Sequence, residues 1–166
     1  MTAAIHSISR TTRVCGPPGK RVSIHFQGCS LGCKGCFSEH TWDRSGGTRM
    51  PVDDVVRSAL ELYEDDYRGF TFSGGEPLQQ IEALDLVYAE LAAARPSATF
   101  WVYTGYPLDH TLVRNSVACM EAENVVAGRY DGPHRGEQLK FPSLGLEKGI
   151  MVRVGTARIT AGGYPR

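Results

Sequence analysis

The sequence predicts an α/β fold, a partial and open (βα) barrel built on a mostly parallel sheet. Three observations lead there. Strand-like stretches take turns along the chain with stretches of helical period, the pattern of strand–helix units. Successive units of that kind imply a parallel sheet with right-handed crossovers. The 166 residues hold too few units for a closed eight-stranded barrel, which takes about 250 residues.

Taken in order, an apolar segment at residues 3–8 is expected as an edge strand. The turn Cys15-Gly16-Pro17-Pro18-Gly19 comes next. Residues 21–27 then alternate Val22, Ile24 and Phe26, a strand that delivers the chain into a cysteine-rich loop. Pro51 suits the first position of a helix, with Asp53 and Asp54 in its positive first turn. Val52, Val55, Val56, Ala59, Leu60 and Tyr63 give that helix one apolar face.

A short strand, Gly69-Phe70-Thr71-Phe72, ends in Ser73-Gly74-Gly75-Glu76-Pro77, and a second helix carries Leu78, Ile81, Leu84, Val87, Tyr88 and Leu91 inward. Residues 99–104 form another strand, 108–119 a helix and 124–127 a further strand. The whole chain, residues 1–166, reads as one domain whose segment from about residue 132 is irregular. The exception is a strand at 150–154, with a partner expected at 157–160 across a turn at Gly155. Both chemically informative motifs follow C-terminal strand ends, where open α/β sheets place their ligands.

Composition narrows the function. Eighteen basic residues balance eighteen acidic ones, so no global field argues for nucleic acid or an anionic membrane. No apolar run approaches a membrane-spanning length, and residues 1–10 lack the layout of a secretory signal. A cytoplasmic protein with no membrane or nucleic-acid partner is the expectation. Of five cysteines, three fall within eight residues, a spacing that strains disulfides and suits a metal.

That loop reads Gly28-Cys29-Ser30-Leu31-Gly32-Cys33-Lys34-Gly35-Cys36-Phe37. Its glycines permit tight curvature, so three thiolates can face one centre. Soft thiolates select zinc, copper(I) or an iron–sulfur cluster. A cubane cluster normally takes four cysteines, so a loop offering Cys29, Cys33 and Cys36 leaves one iron for an outside ligand. The alternative is a structural zinc site closed by His40, four residues after Cys36. Cys15 and Cys119 have no partner motif and read as inert thiols. His25 reads as an outward or satisfied histidine, Lys20 and Arg21 as solvated charge, and Trp42 as packing.

The C-x3-C-x2-C loop after a first strand, with Gly-Gly-Glu-Pro after a later one, resembles the radical S-adenosylmethionine superfamily. Within it the chain is most similar to activating proteins of glycyl-radical enzymes, above all the anaerobic ribonucleotide reductase activating family. Gly16-Pro17, Arg21, Gly28-Cys29, Cys33-Lys34-Gly35-Cys36-Phe37 and Thr41-Trp42-Asp43 with Gly46-Gly47 carry the likeness. So do Thr71 to Leu78, Tyr103-Thr104-Gly105-Tyr106 and Asp131-Gly132, so that it spans roughly residues 5–135. Two features depart from the family. Cys15 stands where it has an aspartate, and 144–149 replace its closing Gly-Ser-x-Asn-Gln.

The resemblance implies a [4Fe–4S] cluster on Cys29, Cys33 and Cys36, with S-adenosylmethionine on the free iron. Gly35 and Phe37 would lie beside the adenine, and Gly74 and Gly75 would let the backbone approach the methionyl group. Glu76 would accept from its ammonium through a charge-assisted bond, and Thr104, with Tyr103, would touch ribose or methionine. No other catalytic side chain is implied, since the cofactors carry the hard step. The implied activity is reductive cleavage to a 5′-deoxyadenosyl radical that abstracts hydrogen from a glycine of a glycyl-radical enzyme. Such chemistry takes a protein substrate and an external one-electron reductant such as flavodoxin or ferredoxin. The alternatives are radical modification of a peptide or small metabolite, and a non-catalytic zinc-binding interaction module.

Overall fold

Alternation along the strands builds one sheet with two different faces. The computed structural model describes residues 1–11 and 19–130, and the backbone of 139–142 and 149–152. The strands are β1 (Thr2–Thr11), β2 (Arg21–Phe26), β3 (Thr48–Pro51), β4 (Gly69–Gly74), β5 (Thr99–Thr104), β6 (Asn124–Ala127), β7 (Leu139–Pro142) and β8 (Gly149–Val152). The helices are α1 (Val52–Leu62), α2 (Ile81–Ala94), α3 (Thr111–Asn115) and α4 (Val117–Glu121), with 3₁₀ turns at Glu39–Thr41 and Pro77–Gln80.

The eight strands run in the order β3-β1-β2-β4-β5-β6-β8-β7. From β2 through β8 each neighbour is parallel to the last. Pairing is antiparallel where β1 meets β2 and β3 and where β7 meets β8. The result is a mixed α/β fold on a mostly parallel sheet.

Register puts Val22 beside Phe70 and Ile24 beside Phe72, then Phe70 beside Phe100 and Phe72 beside Val102. These residues share one face and form a single core with Val55 and Ala59 of α1, Leu84, Val87 and Leu91 of α2, and Ala118 of α4. The opposite set on the same strands includes Ser23, His25, Thr71, Ser73, Trp101 and Tyr103. Trp101 and Tyr103 join Val126 in a second small apolar cluster.

Several expectations are corrected. The first strand is not an edge, because four residues at Thr48–Pro51 pair along its outer side. Pro51 ends that strand and caps α1 from outside instead of opening it. The helix expected at 108–119 is two short helices broken at Ser116, whose backbone is extended. Asp85 of α2 explains the break: its carboxylate accepts from Ser116 Oγ (2.7 Å) and from the Val117 and Ala118 amides (3.0 and 2.9 Å). A fixed acceptor there starts a new helix. Beyond residue 132 the strand expected at 150–154 is present as β8, but β7 pairs beside it where irregular chain is expected; the partner expected at 157–160 falls outside the described residues.

Arg21 is the sharpest reversal. It is 2% exposed, and its guanidinium donates to Thr71 Oγ1 (2.9 Å), Thr99 Oγ1 (2.8 Å), and the carbonyls of Phe70 and Thr99 (both 2.7 Å). Burial lowers its pKa to about 10, so it stays charged and pins the starts of β2, β4 and β5 together. Among the described residues no helix is long and apolar enough to cross a membrane.

Arg21→Leu removes four donated bonds and is expected to cost roughly 1–3 kcal/mol. Urea denaturation of the two chains measures it. An unchanged midpoint would show the clamp to be incidental.

Candidate functional site

Three strand ends and one loop assemble the site. Where β2 stops, the Gly28 amide donates to Thr41 O (2.7 Å) and the Cys29 amide to Trp42 O (3.1 Å), closing the cysteine loop at its base. Gly28, Gly32 and Gly35 adopt φ of +98°, +61° and +72°, so the expected tight curvature is present. The Cys36 amide donates to Cys33 O at 3.2 Å, and the Ser38 amide reaches Cys36 Sγ at 3.4 Å, a donor that favours negative charge on that sulfur.

The glycine pair after β4 is required by the protein's own backbone. A Cβ on Gly74 would sit 2.4 Å from Phe26 O, and one on Gly75 would sit 2.4 Å from Gly28 O. The Gly75 amide donates to Phe26 O (2.8 Å) and the Glu76 amide to Gly28 O (2.9 Å). The residue just before Cys29 is thus held by the motif just after β4.

Glu76 is 1% exposed. Its Oε1 accepts from the Leu78 amide (3.0 Å) and Thr104 Oγ1 (2.8 Å), and its Oε2 from the Gly105 amide (2.6 Å). Thr104 Oγ1 accepts in turn from the Tyr106 amide at 3.1 Å. Burial pushes the Glu76 carboxyl up to about 7, against the pull of those three donors.

One open cavity of about 110 Å³ collects these parts. Cys29, Cys33 and Cys36 line it together with Gly74, Gly75 and Glu76. Thr104 and Phe37 also reach it; Gly35 is not among its lining residues, and its Cβ position faces open space. Phe37 is 61% exposed and meets Tyr130 edge to face, with centroids 5.7 Å apart.

His25 turns out to do both things a strand histidine can. Its Nδ1 lies 3.1 Å from Ser7 Oγ, and its ring lines the cavity. Tyr130 and Gly128, beyond β6, also line the cavity, and between them Arg129 donates to Leu31 O of the cysteine loop. No local signal marks these three; they arrive because β6 lies beside β5.

The donor set fits a cluster better than a single ion. Three soft thiols line one cavity together, the ligand type that suits an iron–sulfur cluster. His40 is outside the lining and packs against His6, ring centroids 4.8 Å apart. Among the described residues no three His, Cys, Asp or Glu side chains converge as one metal ion requires. Cys119 is buried, its thiol pushed up to about 12, and sits in the helical core. Burial also raises the Cys29 thiol.

Residues 15–144 match the family described as 4Fe-4S single cluster domain. The anaerobic ribonucleoside-triphosphate reductase-activating protein of Salmonella typhi is 29% identical over 131 residues, 76% of this chain and 82% of that one. The pyruvate formate-lyase-activating enzyme of Clostridium pasteurianum is 39% identical over 83 residues, 48% of this chain and 34% of that protein. The crystal structure of QueE from Escherichia coli superposes with a TM-score of 0.52 at 16% identity, covering 76% of this chain and 70% of that one. The chain belongs to the 4Fe-4S single cluster domain family, and the superfamily likeness carried by its cysteine loop and Gly-Gly-Glu motif holds.

Two outcomes test the geometry. Gly75→Ala is expected to displace the Gly28 backbone and lower iron retention severalfold after anaerobic reconstitution, without unfolding the helices. The second concerns Glu76. The folded chain keeps the Glu76 proton at pH values where the unfolded chain, titrating near 4.5, has lost it. The associated stability is fully present below 4.5 and is lost as the pH rises to about 7. In the cluster-free chain, the urea midpoint of Glu76→Gln relative to wild type is therefore expected to rise across that window. A constant difference would refute the raised carboxyl.

Proposed function

We propose that this chain activates a glycyl-radical enzyme, using S-adenosylmethionine and a [4Fe–4S] cluster to remove one hydrogen atom from a glycine of that partner. The observation that carries this reading is that the three thiols and Gly74-Gly75-Glu76 line one cavity. When bound, the cluster and S-adenosylmethionine supply reductive cleavage of the sulfonium and a 5′-deoxyadenosyl radical.

The chain's own residues hold, orient and shelter. Cys29, Cys33 and Cys36 would be the only protein ligands, leaving one iron for the methionyl group. Glu76 already accepts three hydrogen bonds, and a carboxylate offers about four acceptor positions. The remaining position suits an ammonium, whose charge would draw the carboxyl back to its ionised form. Thr104 acts in this scheme by fixing Glu76, through the bond its hydroxyl donates.

Phe37, exposed at the cavity and set against Tyr130, offers an aromatic surface for adenine. Gly35 leaves room for an approaching ring beside its backbone. His25, Ser73 and Tyr103 also line the cavity, from the sheet face opposite the helical core. That face would be the inside of a partial, open barrel, through which the partner's glycine loop reaches the radical. The relatives named as activators of ribonucleotide reductase and pyruvate formate-lyase support a protein substrate of this class. Reduced thiols and an oxygen-sensitive iron suit the cytoplasm.

Anaerobic reconstitution is expected to load about four iron and four sulfide per chain. Replacing any one of Cys29, Cys33 or Cys36 by Ala should abolish that loading. With reductant, S-adenosylmethionine and a co-encoded glycyl-radical enzyme, a glycine-centred doublet should appear in electron paramagnetic resonance. 5′-Deoxyadenosine formed without a protein radical would move the target to a peptide or small metabolite. One zinc per chain and no sulfide would end the catalytic reading.

A further inference from the structure

A second open cavity, about 160 Å³, shares no lining residue with the thiol cavity yet reaches Gly28, one residue before Cys29. Its walls are Gly28, Arg44, Arg49 and the glutamines 27, 79 and 80. The glutamines are committed to the fold. Gln80 bonds Ala4 N, Ala4 O and Gln27 O. The Gln27 side chain bonds Asp43 O and His6, and Gln79 holds Ser30 and Tyr106. They tie the surrounding segments together and bring no charge to the pocket.

The two guanidiniums are different. Arg44 and Arg49 are both exposed. Arg44 donates to Gln79 Oε1 at 2.8 Å, a neutral partner. The ion pairs among the described residues are Arg10–Glu64, Lys20–Asp66 and Arg57–Asp54, and neither arginine takes part. Asp43, the acid next to Arg44 in sequence, directs its carboxylate to Ser45 N and Ser45 Oγ, both 2.8 Å. In a chain of zero formal charge, two arginines in one pocket with no carboxylate among its described lining residues are a local concentration. Such a patch attracts anionic partners.

We infer that this arginine pocket is the docking surface for an acidic one-electron carrier protein. The inference rests on the proposed function, which needs an electron from outside. The position favours a carrier over the hydrogen-donating substrate. An electron can cross the single peptide bond that joins Gly28 to Cys29. A hydrogen atom cannot, so the substrate protein must enter through the thiol cavity. One electron leaves the carrier, which is oxidised by one, and passes to the cluster held by Cys29, Cys33 and Cys36. It is consumed when the sulfonium S–C5′ bond breaks to methionine and a carbon-centred radical. Exposed charge pairs are individually weak, and they govern encounter rate and salt dependence more than lifetime. A carrier that must dock and leave at each turnover needs that behaviour.

The test uses the reconstituted holoenzyme, the double variant R44E/R49E, and R44Q/R49Q as a milder pair should charge reversal impair folding. The probe is a purified acidic flavodoxin, reduced by one electron. Calorimetry at low salt is expected to show association weakened at least about tenfold by R44E/R49E and less by R44Q/R49Q. Wild-type association is expected to fall steeply toward about 0.15 M salt. Flavodoxin-driven cluster reduction, followed by absorbance, should slow in parallel. Reduction by a neutral photoreduced deazaflavin should not change.

Equal flavodoxin affinity in wild type and both variants overturns the docking surface. So does a loss of affinity confined to the glycyl-radical partner, which would assign the pocket to the substrate. If deazaflavin-reduced wild type forms no 5′-deoxyadenosine, the proposed function fails instead, and the binding measurement still decides whether an acidic protein docks here.

Discussion

A carboxylate taken out of water loses several kcal/mol of hydration unless polar hydrogens replace it. Glu76 meets that demand with three donors drawn from two segments: the Leu78 amide just after β4, and the Thr104 hydroxyl and Gly105 amide at the end of β5. Because the group cannot be buried without them, the ends of β4 and β5 are bound to one geometry. Its own amide extends the tie to β2 through Gly28 O. Three strand ends are therefore coupled at the place where the thiols emerge, and the cysteine loop inherits its position from that coupling.

The glycine pair makes the tie possible. With a Cβ at 2.4 Å from Phe26 O or Gly28 O, neither Gly74 nor Gly75 tolerates a side chain unless the strands separate. The motif thus has a structural reason that precedes any cofactor, while both residues still line the cavity. The two roles are compatible, because one face of a bare backbone packs on its neighbour and leaves the other open. The opposite ends of the parallel strands are secured differently. There Arg21 crosses from β2 to β4 and β5 with four donated bonds. A charged clamp at one end and a buried acid at the other hold the same three strands.

Between those clamps the sheet separates two environments. Aromatic and aliphatic side chains of β2, β4 and β5 pack with α1 and α2 on one side, including stacked Phe70, Phe72 and Phe100. The other side carries Ser23, Thr71 and His25, with Trp101, Tyr103 and Val126 as a small apolar cluster. Helical packing supplies the stability, which leaves the second face free for polar and aromatic groups at the cavity. That separation allows a reactive site beside a core that does not take part in the chemistry.

Much of this was legible in the residues themselves. The strand at 21–26 shows its period-two pattern, 99–104 and 124–127 stand out as short apolar runs, and the cysteine spacing announces a soft-metal loop. The Gly-Gly-Glu-Pro turn after β4 stands out in the same way. Other features have no local signature. Thr48–Pro51 is four residues without alternation, and it becomes a strand only because β1 offers an unpaired edge. Ser116 breaks a helix because Asp85, 31 residues earlier in the chain, caps the start of α4. Arg21 looks like solvated charge until β4 and β5 bring carbonyls to it. Arg44 and Arg49 share a pocket only once β3 folds back along β1. Spacing and periodicity act over a few residues and are written into the chain. Burial, capping by distant side chains and the balance of charge depend on which segments become neighbours, and only the folded sheet decides that.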